Sequence, residues 1–80
     1  MKLHQFEQLQ SYLFLLSFEN GETCQADLED LIGQHVTVDN LRTAHINLDC
    51  GCLEFLDGRV DIEPKTLYRY ARSASEKQAA

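Results

Sequence analysis

The chain reads as a single small α+β domain: an antiparallel sheet of about five or six short strands built from hairpins, one or two short helices and a closing helix. Three observations lead there. Tyr12, Phe14, Leu16 and Phe18 alternate along one face of an apolar run, the period of a strand. Asn20-Gly21 and Asp57-Gly58 each sit between apolar segments, and both dipeptides accept the positive φ of tight hairpin turns. Pro64 is followed by Leu67, Tyr70, Ala71 and Ala74, a helical stripe behind a residue suited to a first helical position.

Taken in order, Leu3 to Glu7 is a loosely patterned first strand, and Gln10-Ser11 is the turn out of it. The apolar run from Tyr12 to Phe18 follows, with Leu13 and Leu15 on its second face. It is expected to be central and covered on both sides. A two-residue Asn20-Gly21 loop pairs Phe18 with Thr23 and Ser17 with Cys24. Asp27 can accept from the backbone N–H groups of a following helix that buries Leu28, Leu31 and Ile32, and Gly33 suits a left-handed residue at its end. A second short turn of helix, capped by Asp39, buries Leu41.

The next segment yields a register. If Cys50-Gly51 is a two-residue loop, Leu48 faces Leu53 and Ile46 faces Phe55; if Asp57-Gly58 is the next, Phe55 faces Val60 and Leu53 faces Ile62. The result is a meander of Ala44 to Leu48, Cys52 to Leu56 and Arg59 to Ile62 with one apolar face. The chain then closes with the helix from Pro64, whose small polar tail should fray from about residue 73.

Composition narrows the function classes. A chain of 80 residues buries only about 60 to 65 per cent of its unfolded surface, so a partner or a homodimer interface would add useful stability. The formal charge is -6, which disfavours general nucleic-acid or anionic-membrane binding. The charge is uneven. Residues 1 to 58 hold two Lys and Arg against ten Asp and Glu, giving -8, whereas residues 59 to 80 hold five against three, giving +2. The first residues, MKLHQFEQLQ, lack the apolar core of a signal peptide, and no run approaches the length of a membrane span. A cytoplasmic protein with three reduced cysteines is the expectation.

Several residue sets bear on chemistry. In the meander register Asn47, Glu54 and Asp61 lie abreast on the outward face, with His45 and Asp49 on the same side. Carboxylates in a row suit a hard cation or a basic partner, while a solvated sheet face is the ordinary reading. Glu54 opposite Asp61 costs roughly a few tenths of a kcal/mol unless a cation or ligand offsets it. Cys50 and Cys52 offer two thiols where structural zinc needs four ligands, and the register puts His45 opposite Leu56, away from both. His4, His35 and His45 do not converge, and each glycine fits a turn or helix end. Lys65, Arg69 and Arg72 share one face of the closing helix, and Tyr68 and Tyr70 read as packing residues. No cofactor is implied, no metal site is assigned, and the chain is expected not to be an enzyme.

Two stretches carry a family likeness. The tyrosine-led strand at Tyr12 runs into Phe18, Asn20, Gly21 and Glu22, an FxNGE turn, and then Asp27, Leu28, Leu31 and Ile32. The second stretch is a DIxPxxLY segment at Asp61, Ile62, Pro64, Leu67 and Tyr68. Over roughly residues 9 to 70 the chain resembles the bacterial domain-of-unknown-function family number 2442. Phe55-Leu56 stands where that family usually carries Trp-Pro, and the loop after the first helix also differs. The resemblance implies a compact bacterial α+β domain without established activity. Family members occur alone or ahead of a DNA-binding helix-turn-helix, and some lie beside genes for small partners in toxin–antitoxin-like arrangements. This chain stops where a fused helix-turn-helix would begin. The expected role is a non-enzymatic protein-interaction or regulatory module, with contact residues Glu54, Asp61, Lys65, Arg69 and Arg72. The alternatives are a metal- or small-ligand-binding domain using Asn47, Glu54 and Asp61, and a homodimeric scaffold.

Overall fold

A computed structural model describes the backbone of residues 1–79 and the side chains of residues 1–73. Six strands form two antiparallel three-stranded sheets rather than one: β1 (Leu3–Gln10), β2 (Leu13–Phe18) and β3 (Thr23–Asp27) in the first, and β4 (His45–Asn47), β5 (Cys52–Phe55) and β6 (Val60–Ile62) in the second. Between them run the helix α1 (Glu29–Ile32) and a 3-10 turn over Val38–Thr43; helix α2 (Pro64–Ala79) closes the chain. Pro64 opens α2 as expected. The fraying expected from about residue 73 and the packing of Ala74 concern side chains outside the described residues.

The central strand is β2, and Tyr12, Phe14, Leu16 and Phe18 are all buried. Its other face is not covered: Leu13 and Leu15 stay half-buried, flanked by Glu7, Gln25 and Asp27 of the neighbouring strands. The first strand extends to Gln10, three residues further than expected, and Ser11 takes φ 52 in the turn that follows.

The first hairpin closes through three residues, not two. Ser17 pairs with Thr23 and Leu16 with Cys24, Phe18 N–H donates to the Glu22 carbonyl, and Gly21 N–H donates to the Phe18 carbonyl at 2.9 Å. Only Gly21 is left-handed, at φ 89, as in the three-residue loop that ends on a glycine bulge. The extra residue sets Ala26 opposite Phe14, where it is fully buried.

Asp27 Oδ1 accepts from Glu29 N–H at 2.9 Å, the expected capping contact, and Leu28 and Ile32 are buried. Gly33 remains right-handed at φ -59, and the chain continues through further turns to a buried Val36. In the 3-10 turn the cap position falls to Thr37; Asp39 lies inside the first turn, and Leu41 is buried as expected.

In the second sheet β5 and β6 pair as the sequence implies, Leu53 with Ile62 and Phe55 with Val60, and both Asp57 and Gly58 are left-handed. The β4–β5 register differs by two residues. Ile46 faces Leu53 and Asn47 faces Cys52, because the loop is four residues long. Asn47 organises that loop: its carbonyl accepts from Gly51 N–H at 2.7 Å and its Oδ1 accepts from Asp49 N–H at 2.9 Å. Leu48, expected in the core, is therefore 85% exposed. Cys50 and Cys52 are joined by a disulfide across the loop end, their Cα atoms 5.3 Å apart. This replaces the expected reduced pair, while Cys24 is a free thiol.

One core joins the two sheets. Phe14 of β2 meets Phe55 of β5 edge-on, with centroids 6.1 Å apart, and Leu67 and Ala71 of α2 are fully buried within the same cluster. The buried Tyr12 hydroxyl donates to the Val36 carbonyl at 2.5 Å, meeting a polar group that would otherwise be costly to desolvate.

Candidate functional site

On the outer face of the second sheet, β4, β5 and β6 set His45, Glu54 and Asp61 in one row. The sequence-derived row had Asn47 in the place of His45. The two-residue shift preserves which side each residue faces, so Asn47 still reaches Glu54 diagonally: its Nδ2 donates to Glu54 Oε2 at 3.1 Å. His45 Nε2 lies 2.9 Å from Glu54 Oε1, and His45 Nδ1 lies 3.2 Å from the Thr43 carbonyl oxygen. His45 opposite Leu56 is thus corrected to His45 opposite Glu54.

Both acceptors around the imidazole are oxygens that do not donate, so the cationic ring, with two N–H groups, satisfies both at once. The Thr43 carbonyl, and then the Glu54 carboxylate, raise the His45 pKa above 6.5. His45 and Asn47, rather than Arg59 or Lys65, are the side chains that meet the Glu54 carboxylate among the described residues. A histidine whose folded pKa is raised contributes stability that is complete below about 6.5 and is lost as pH rises through the folded value. In a proton NMR titration His45 is expected to titrate above 6.5 and to move back toward it in Glu54→Gln; a wild-type value at or below 6.5 would contradict the arrangement.

The basic helix is divided by its contacts. Arg72 Nη1 donates to both Glu22 oxygens, at 3.1 and 3.2 Å, and to the Tyr68 hydroxyl at 3.0 Å. Tyr68 also donates to Glu22 and meets Phe18 edge-on at 5.1 Å. The Tyr68 hydrogen bond, followed by the charge of Arg72, holds the Glu22 carboxyl below the usual carboxylate range. Arg72 is therefore a clasp between α2 and the first hairpin. Lys65 and Arg69 remain exposed on α2 and make no ion pair among the described residues. Tyr70 donates to the Asp27 carbonyl at 2.7 Å, so both tyrosines are packing residues as expected.

Glu22 was not anticipated as an anchor for α2. Its partner Tyr68 lies 46 residues away, and no local periodicity reports so distant a contact. The two segments that carry the family likeness, Phe18 to Glu22 and Asp61 to Tyr68, thus meet in space.

Among the described residues no group of three or more His, Cys, Asp or Glu is arranged to hold a metal ion. No helix of those residues is long and apolar enough to cross a membrane. No curated protein and no solved structure matches the chain. A family model described as "Protein of unknown function (DUF2442)" matches residues 7–73, a span that takes in the end of β1, the strands β2 to β6 and the clasp at Glu22, and the chain belongs to that family.

Proposed function

We propose that this domain works by contact with another protein, as a small interaction or regulatory module of the bacterial cytoplasm, and that it catalyses no reaction. The observation that carries this reading is exposed charge without an ion-pair partner among the described residues: Lys65 and Arg69 on α2, and Asp61 on the outer sheet face beside the half-buried Glu54. Such surfaces steer and orient a partner more than they add affinity. A toxin–antitoxin-like accessory role is one form this module could take, consistent with the gene neighbourhoods of the family.

The competing reading is a cation or small-ligand site at Asn47, Glu54 and Asp61. Here the Glu54 oxygens are already occupied by His45 and Asn47, which favours the protein-contact reading. Thermal melts with and without magnesium, calcium or zinc ions separate the two. A specific ion at about 100 times its dissociation constant adds about 2.7 kcal/mol, a rise of roughly 10 °C or more for a domain of this size. The expected result is a shift below about 2 °C; a rise of the larger size would move the assignment to ligand binding.

A further inference from the structure

A groove of about 360 Å³ opens between α1 and the segment formed by β6 and the start of α2. The half-buried Leu31 and Val60 supply apolar surface above the buried Ile32 and Ile62, and Asp61 and Glu63 supply carboxylates. His35 and Thr66 complete the lining, which contains no Lys or Arg. The groove runs along β6, the last strand of its sheet, so one side of Val60–Ile62 has no neighbouring strand.

These features define an occupant. Apolar surface is favourable to cover, but the two carboxylates disfavour an acidic segment and attract a basic one. An unpaired strand edge offers N–H and C=O groups to an extended chain. The volume lies near the lower end of the roughly 300 to 1,000 Å³ of ordinary ligand sites, a scale that suits one or two side chains.

We infer that this groove binds an extended segment of a partner protein in which aliphatic side chains alternate with Lys or Arg. The inference rests on the interaction-module reading and adds to it the surface and the partner's chemistry. The aliphatic side chain enters between Leu31 and Val60, the flanking cations meet Asp61 and Glu63, and the backbone lies beside β6. Lys65 and Arg69 are not part of this contact.

The probe is the peptide acetyl-Lys-Val-Lys-Ile-Lys-Val-Lys-amide, titrated into the isotope-labelled full chain and followed by amide NMR shifts. Two control peptides replace every Lys by Glu, or every Val and Ile by Ser. The expected result is a saturable shift of the amides of residues 31, 32, 35 and 60–63 with the first peptide only. The double variant Asp61→Lys/Glu63→Lys, whose sites are exposed and whose fold is checked by circular dichroism, should bind roughly tenfold more weakly or not at all. Absence of saturable binding at millimolar peptide, shifts located elsewhere, equal binding of the serine peptide, or unchanged affinity in the folded double variant would each overturn the groove. If the peptide fails while a cellular partner is lost on charge reversal at Lys65 and Arg69, the module reading survives and the groove assignment alone falls.

Discussion

Phe55→Ala is expected to remove about 3 to 5 kcal/mol of stability and to lower the melting temperature by roughly 15 °C or more. Phe55 is fully buried and meets Phe14 of the other sheet, so its loss opens a cavity where the two sheets touch. An 80-residue domain has about 4 to 12 kcal/mol in total, so the variant should stand close to unfolding at 37 °C. Urea denaturation followed by circular dichroism measures the effect. A loss below about 1 kcal/mol would mean that the two sheets do not share this core.

Gly51→Ala is expected to cost about 2 to 3 kcal/mol, and Gly58→Ala about 1 to 2. Both glycines are left-handed, at φ 73 and 87, and the backbone cost of an L side chain there is roughly 1 to 2 kcal/mol. Their surroundings differ. A Cβ on Gly51 would stand 2.7 Å from the Lys2 Cα atom and against the Lys2 side chain, whereas a Cβ on Gly58 meets nothing nearer than Glu54 Oε1 at 3.6 Å. Relief at Gly51 moves the start of β1 and strains the 3.0 Å bond from Leu3 N–H to the Gly51 carbonyl, a contact worth about 1 kcal/mol. Equal losses in the two variants, measured in parallel urea titrations, would show that the β4–β5 loop does not press on the N-terminal strand.

How much of this was legible in the sequence depends on the range of the signal. Alternation placed Tyr12, Phe14, Leu16 and Phe18 in the core, and Asp57-Gly58 fixed the β5–β6 register, because both signals are local and strong. Alternation cannot report a shift of two residues, since such a shift returns every side chain to the same face. The β4–β5 hairpin was misregistered for that reason: matching Leu48 to Leu53 fitted the pattern, but Asn47 and the bond from Leu3 N–H to the Gly51 carbonyl hold a longer loop. At the first hairpin Asn20-Gly21 correctly marked the turn without deciding between a two- and a three-residue loop.

The candidate site was legible in the same partial way. Glu54 and Asp61 were placed abreast by the well-defined β5–β6 pair. His45 was misplaced with β4, so its contact with Glu54 was missed. Arg72 was correctly put on the basic helix face, but only the tertiary fold turns it toward Glu22. The groove between α1 and β6 joins residues about thirty positions apart, and neither charge pattern nor hydrophobic period links them.

Affinity capture from native cells tests the central claim most directly, with the tagged wild-type chain and two charge-reversed baits compared at low and physiological salt. One bait carries Lys65→Glu and Arg69→Glu, the other Glu54→Lys and Asp61→Lys, all outside the buried core. One protein should be recovered in stoichiometric amount by the wild type and lost from at least one folded reversed bait. Recovery of no protein at either salt, or equal recovery by all three baits, would contradict the claim that this domain acts through its charged surfaces.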